Sequence, residues 1–535
     1  MVIAWFFVLP IWRLLRLSAG TEGIAFGAYS EVLASRTTWE VVRTTLGIAG
    51  AATAIATVAG VALAWLIAYT DVPGKRAIQI LILLPFVLPS YVVALAWVRT
   101  FGRNGPLGFL DVNLYTRAGI VFVLALTTAP IVYLLVVAVL RSIPSEIEHA
   151  ARASGAGPVA AAVRVTLPAA LPGIAGGGLL AFLSCLDNFG VPAFLGTPAN
   201  IQVLSTAIYQ QVIGFGPAAF TRAAVLALLL GAIALAGTAL QWFLLRRGGV
   251  NVDVRMDAPP RVFLGRARSA VAVAVGGGAA VLSFVPLYAM VRSSLSSAVG
   301  VTATWDTLTL RHYEFLLHSS SVRTALAVSA RLTVLTVAVC LVLGTFVAYT
   351  RLRYPSPLTK IVDVAVAVPF ALPGVVVALA AIFAWVQPFP GVYPGIYGTW
   401  LILLVAYVTR FAYFQVRASA AGLAALDPAT IEAARACGAG AGTAWRRVVL
   451  PLLSGSLLAG AFLIAVNAMS ELTVSAILYS AGSQTVGVVV MGFERAGSAP
   501  LAAALSTLLL IAYGVMGLLV LICARYLNPG RSRGH

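Results

Sequence analysis

The chain has 535 residues, of which 61% are hydrophobic and 10% charged, and its mean hydropathy is +0.98. A charged fraction under half of the roughly 25% usual in globular proteins leaves too little polar surface to coat a water-soluble body, so the chain must be solvated by lipid. The net charge of +18 does not signal nucleic acid, because Lys and Arg are strewn singly between apolar stretches, as they are beside cytoplasmic span ends.

In chain order, apolar runs of membrane-spanning length fall near 1–17, 44–69, 77–98, 118–140, 173–196 and 223–245. A polar stretch, 246–268, follows and carries Arg247, Asp253, Arg255, Asp257, Arg261 and Arg266, which reads as a cytoplasmic linker. Six more runs lie near 269–291, 325–349, 361–386, 399–416, 457–479 and 500–524. The expectation is an all-α integral membrane protein of twelve transmembrane helices, with a first six-span repeat at 1–245 and a second at 269–535.

The halves are copies, since motifs return at a shift of about 283 residues. Pro85-Phe86-Val87-Leu88-Pro89 recurs as Pro369-Phe370-Ala371-Leu372-Pro373, Leu167-Pro168 as Leu450-Pro451, and, at a shift three residues smaller, Ala68-Tyr69-Thr70 as Ala348-Tyr349-Thr350. An even number of spans per copy makes the repeats parallel, about an axis along the membrane normal. Placing the linker, the loops after the second and fourth span of each half and the C-terminal tail on one side collects most of the 35 Lys/Arg there, and that side is cytoplasmic. Pro10 corresponds to Pro286, so the first span lacks about ten residues of its copy. Either the helix is stunted or the start lies upstream. No basic segment precedes the run, which argues against a signal peptide.

Several chemistries find no residues here. The two lysines, Lys75 and Lys360, lie outside any G-x-x-x-x-G-K-[ST] loop, the four histidines form no H-x-x-x-H pair, and no G-x-S-x-G elbow occurs. The chain reads as a non-enzyme. Cys185, Cys340, Cys437 and Cys523 have no C-x-x-C spacing and read as small core residues, with no disulfide, zinc framework or stably bound metal. The proline pairs 85/89 and 369/373 predict static kinks. Gly176–Gly178 and Gly276–Gly278 predict close helix packing. Trp97, Trp242 and Trp400, near span ends, predict interface anchors.

The strongest positive signal is a loop repeated in each half, over 141–172 and 417–456. The first reads Glu148-His149-Ala150-Ala151-Arg152-Ala153-Ser154-Gly155, the second Glu432-Ala433-Ala434-Arg435-Ala436-Cys437-Gly438, and in both a Leu-Pro follows with its proline thirteen residues beyond the glycine. This predicts a short helix, a turn with positive φ at the glycine, a second amphipathic helix, and a proline where the next span begins. The pattern resembles the E-A-A-x-x-x-G motif of type I ATP-binding-cassette importer permeases, and fused members of that family have two six-span halves in about this length. The resemblance implies that Glu432, Ala433, Ala434 and Gly438 dock one cytoplasmic ATP-binding subunit, and that Ala150, Ala151 and Gly155 dock a second. The first copy departs from the motif, with His149 where glutamate is expected and Glu148 one residue earlier.

Within the family, Asp187-Asn188-Phe189-Gly190-Val191-Pro192 and Ser470-Glu471-Leu472-Thr473-Val474-Ser475 resemble the ferric-iron branch. Acids inside apolar spans are costly and face a bundle interior or a water-filled path. Asp187, Asn188, Ser470 and Glu471 are therefore candidates for the translocation path, where carboxylates suit a hard cation. They are equally candidates for capping a broken helix or pairing with an arginine. The resemblance implies a multi-pass protein of the bacterial plasma membrane, with an external substrate-binding protein as partner and ATP and Mg on the ATPase subunits. Thiamine, phosphonate and other small polar solutes are the alternative cargoes, and an ion-coupled secondary transporter is the alternative class.

Overall fold

The computed structural model describes residues 4–19, 25–214, 219–247, 260–298, 300–301, 305–386 and 395–527. Positions 248–259 of the expected linker lie outside the described residues. Apart from two isolated bridges, Thr70 to Val262 and Ser296 to Leu308, the described secondary structure is helical.

The first copy contains α1 (Leu9–Ala19), α2 (Arg36–Tyr69), α3 (Lys75–Val87), α4 (Ser90–Phe101), α5 (Arg117–Ser142), α6 (Ser145–Ala153), α7 (Leu167–Asp187), α8 (Leu204–Ile213) and α9 (Ala219–Arg247). The second contains α10 (Arg268–Leu295), α11 (Ser320–Arg353), α12 (Pro357–Ala371), α13 (Gly374–Trp385), α14 (Trp400–Ala424), α15 (Pro428–Ala436), α16 (Leu450–Met469), α17 (Thr473–Leu478), α18 (Val486–Arg495) and α19 (Ala499–Leu527). Nine described helices are long and apolar enough to cross a bilayer, and the number reaches eleven if each of two bent pairs is one span. The first helical stretch, Ala4–Val8 running into Leu9–Ala19, is shorter than these.

The bent pairs replace the expected kinks with breaks. Helix α3 meets α4 at 103°, and α12 meets α13 at 114°. Pro85 and Pro369 lie within α3 and α12. The break comes at the second proline of each pair, because a proline pushes the residue before it out of the helical region. Leu88 (φ −79°, ψ 145°) and Leu372 (φ −88°, ψ 143°) are extended accordingly.

The chain divides into two compact units, one of residues 1–28, 216–224 and 310–535, the other of 29–215 and 225–309. In the second, α2, α5 and α7 pack together. Gly60 permits the approach of α2 to α5, for a Cβ there would stand 2.7 Å from the Cβ of Val132. The first is built alike from α11, α14 and α16. Its Gly344, the repeat counterpart, would put a Cβ 2.6 Å from that of Gln415.

The units do not follow the sequence repeats at their first helices. Helix α1 packs on α13 of the second copy, with the Arg13 guanidinium donating to the Ala384 carbonyl at 2.6 Å. Helix α10 packs on α3 and α4 of the first copy. Each compact unit thus takes its opening helix from the other repeat.

Three smaller expectations change. Gly177 sits 3.1 Å, measured from an added Cβ, from the Val132 backbone, as close packing requires, whereas Gly277 and Gly278 meet nothing within 4 Å. Trp97 is buried, edge-on to Phe122 at 4.9 Å, and is no interface anchor. Trp242 is exposed, and Trp400 lies under the Arg331 guanidinium at 4.0 Å. Cys185 and Cys340 are buried, while Cys437 and Cys523 are exposed.

Candidate coupling loops and intramembrane acids

The repeated loops fold alike down to single hydrogen bonds. In the first, α6 ends when Gly155 turns to φ +90°, its N–H donating to Arg152 O at 3.0 Å and that of Ala156 to Ala151 O at 3.1 Å. In the second, α15 ends with Gly438 at φ +83°, its N–H donating to Arg435 O at 2.9 Å and that of Ala439 to Ala434 O at 3.0 Å. This is the Schellman cap, which satisfies two orphan carbonyls and needs a left-handed residue. The four-residue step from the second alanine to the glycine is therefore a helix-termination signal.

The chain then re-enters helix and does not stop at the proline. In both copies a π-helical turn, Ala162–Thr166 or Trp445–Val449, joins a four-residue helix, Pro158–Ala161 or Ala441–Ala444, to α7 or α16. Pro168 and Pro451 have no N–H to offer the preceding turn. The wider turn closes just before them, with Leu167 N–H bonding Ala162 O and Leu450 N–H bonding Trp445 O. Each loop is thereby continuous with a span.

His149, Ala150 and Gly155 are exposed and Ala151 is half-buried; Glu432, Ala433 and Gly438 are exposed and Ala434 is half-buried. Glu148 stands apart. It is only 4% exposed and is held by Arg152 at 3.1 Å and Arg261 at 3.4 Å. The sequence offered no signal for Arg261, which acts from the far end of the linker.

The acid-bearing breaks are also equivalent. Helix α7 ends at Asp187, and the Asn188 Oδ1 accepts the Val191 N–H at 3.0 Å while its Nδ2 donates to Ser90 Oγ at 3.0 Å. Helix α16 ends at Met469, and the Glu471 Oε1 accepts the Val474 N–H at 2.8 Å. Both caps bridge three residues, so Asn188 and Glu471 do the same local work. Ser470 bonds back to Val466 O at 2.9 Å within its own helix. Asp187 is half-buried at its helix end.

Glu471 does more than cap. Its Oε2 lies 3.6 Å from Arg410 Nε, with the two side chains 8% and 11% exposed. Its backbone carbonyl accepts from Ser475 Oγ at 3.1 Å, and Ser475 Oγ lies 2.6 Å from the Tyr407 hydroxyl. A Cβ at Gly374 would collide with the Arg410 guanidinium, so α13 begins with glycine where the arginine crosses. Arg410 sits inside the apolar run of 399–416 and was legible by the rule that singled out Glu471. Among the described residues no group of three or more His, Cys, Asp or Glu side chains is placed to hold a metal ion.

The chain matches the family described as binding-protein-dependent transport system inner membrane component twice, over residues 56–247 and 340–533. It belongs to that family. Each matched segment holds one Gly-capped loop and one acid-bearing break, and each leaves out the opening helix, α1 or α10, that packs with the other repeat. Over 99% of its length the chain is 26% identical to a probable ABC transporter permease protein, y4fN, of Sinorhizobium fredii, covering 96% of that protein. It is 26% identical over 83% of its length to a putative ferric transport system permease protein, FbpB 1, of Haemophilus influenzae, covering 71% of that protein. It is 29% identical over 32% of its length to the molybdenum transport system permease protein ModB of Escherichia coli, covering 80% of that protein. As a two-copy family member with multiple apolar helices, it is a multi-pass protein of the plasma membrane.

Proposed function

We propose that the chain is the fused membrane subunit of an ATP-binding-cassette importer for ferric iron, working with two cytoplasmic ATP-binding subunits and an external substrate-binding protein. The observation that carries the reading is the pair of Gly-capped loops, alike in both copies and each continuous with a span. The helix that follows each glycine cap, Pro158–Ala161 or Ala441–Ala444, runs unbroken into its span, so a subunit docked on the loop would push on the span through it. His149, Ala150, Ala151 and Gly155 would meet one subunit and Glu432, Ala433, Ala434 and Gly438 the other. ATP and Mg belong to those subunits.

Counting each bent pair as one span and adding the short first helix makes twelve spans, six per copy. Ferric iron is favoured because the relative named for ferric transport aligns across 83% of this chain, whereas ModB aligns over 32%. The Glu471–Arg410 pair would hold the break between α16 and α17 without meeting cargo, because both Glu471 oxygens are already engaged.

The test is uptake of radiolabelled ferric iron into proteoliposomes containing this chain, the ATP-binding subunit and the iron-loaded binding protein. Uptake should require internal ATP. Uptake that persists without ATP under an ion gradient would assign the chain to secondary transport, and ATP-dependent uptake of molybdate or sulfate but not iron would move the cargo.

A further inference from the structure

The first loop carries a tie that has no counterpart among the described residues of the second. Beyond the linker, the chain returns along the end of α2, where the backbone N–H groups of Arg261 and Val262 both donate to Tyr69 O at 2.8 Å and that of Leu264 donates to Asp71 Oδ1 at 2.8 Å. From there the Arg261 guanidinium, whose side chain is 9% exposed, enters the angle between α5 and α6. It reaches Glu148 Oε2 at 3.4 Å, the Tyr69 hydroxyl at 3.2 Å and the Ile143 carbonyl, and lies 4.5 Å from the Tyr69 ring centroid. The tie runs both ways, since Arg152 of α6 donates to Glu148 at 3.1 Å and to Arg261 O at 3.4 Å.

In the second copy the position of Glu148 is taken by Ile431 and, in the register that pairs Gly60 with Gly344, that of Tyr69 by Arg353, which is exposed. Nearby, Tyr349 packs edge-on against Trp445 of the loop at 4.9 Å, and against Tyr354 at 6.3 Å. An apolar side chain, Ile431, therefore stands where the first copy has the buried Glu148.

We propose that Arg261 is a positioning residue for coupling: the end of the linker straps the first docking helix to the membrane helices through Glu148, so that this helix and its span move as one body. The displaced glutamate of the first motif is then an internal anchor, whereas the motif glutamate of the second, Glu432, is exposed. A planar guanidinium suits this place, because one fork can serve a carboxylate, a hydroxyl and a carbonyl together. The inference rests on the importer reading above.

The experiment uses the reconstituted complex with its binding protein, and reads iron transported per ATP hydrolysed, association of the ATP-binding subunit, and the KM for ATP. Arg261→Ala and Glu148→Gln should each lower transport per ATP by about threefold to tenfold, the range of mutations that act on coupling without touching ligand. Subunit association and the KM for ATP should stay as in wild type. The double variant should be little worse than either single, and Arg261→Lys should recover part of the loss. Arg266→Ala, at an exposed arginine of the same segment, should have no effect.

Unchanged transport per ATP in both single variants would overturn the strap. So would losses that add fully in the double variant. If Arg261→Ala does not fold, Glu148→Gln and Arg261→Lys carry the same comparison. A wild-type complex that binds no ATP-binding subunit would overturn the importer reading, and this inference with it.

Discussion

At the scale of single residues, most of the informative side chains are charged groups held in apolar surroundings. Breaking a buried ion pair from one side strands the other charge, at a cost of about 3–5 kcal/mol. Glu471→Gln should therefore destabilise the protein by roughly that amount in detergent, read as a lower thermal midpoint, while adding Arg410→Gln should recover part of the loss. Glu471→Ala should fall below Glu471→Gln by about 1 kcal/mol more, because it also removes the cap on Val474. A Glu471→Gln variant as stable as wild type would mean that the pair contributes nothing beyond the cap. Gly155 and Gly438 need positive φ, so alanine at either should cost about 1–2 kcal/mol locally. That strain should appear as faster proteolysis of the loop. The glycines were legible because a helix terminator is read from neighbours in sequence. Arg261 was not, since its partner Glu148 is 113 residues away.

Elements obey the same division. The long helices follow from apolar run length, and the breaks follow from the second proline of each pair, where the motif alone predicts a kink. Pro85 and Pro369 stay inside their helices, whereas the residues before the second prolines, Leu88 and Leu372, take up the extended conformation that a following proline favours, and the bends above 100° fall there. Packing between helices is set by which faces approach. Gly344→Val should force α11 from α14 and cost about 1–3 kcal/mol by overpacking. Gly514→Val, where an added Cβ meets nothing within 4 Å, should be neutral. A neutral Gly344→Val would show that the approach of α11 to α14 is not tight. The two glycine triplets look alike in sequence, yet Gly177 would put a Cβ 3.1 Å from backbone while in the second triplet only Gly276 meets a neighbour, the Ile78 side chain at 3.4 Å, because nothing local tells a helix face turned to a neighbour from one turned outward.

On the whole-molecule scale, the exchange of opening helices makes the repeats mutually dependent. Chains 1–253 and 254–535 expressed separately should each lack a helix that its compact unit needs, and should be proteolysed or aggregate. Expressed together they should co-purify, which detergent gel filtration would report. Two fragments that are each stable and monodisperse alone would contradict the exchange. The twelve-span, two-repeat expectation came from counting runs and matching motifs. Neither operation says with which copy a given first helix will pack.

The sequence by itself determined the lipid-solvated class, the duplication, the paired loops with their terminating glycines and the acid-bearing breaks, since each depends on composition or on residues a few positions apart. Tertiary structure decided which repeat each opening helix joins, that Glu148 turns inward to Arg261, and that Glu471 is matched by Arg410. The reason is physical: a buried charge or an apolar helix face must find a partner, and the partner is chosen by proximity in the folded chain, which can join residues as far apart as Arg13 and Ala384.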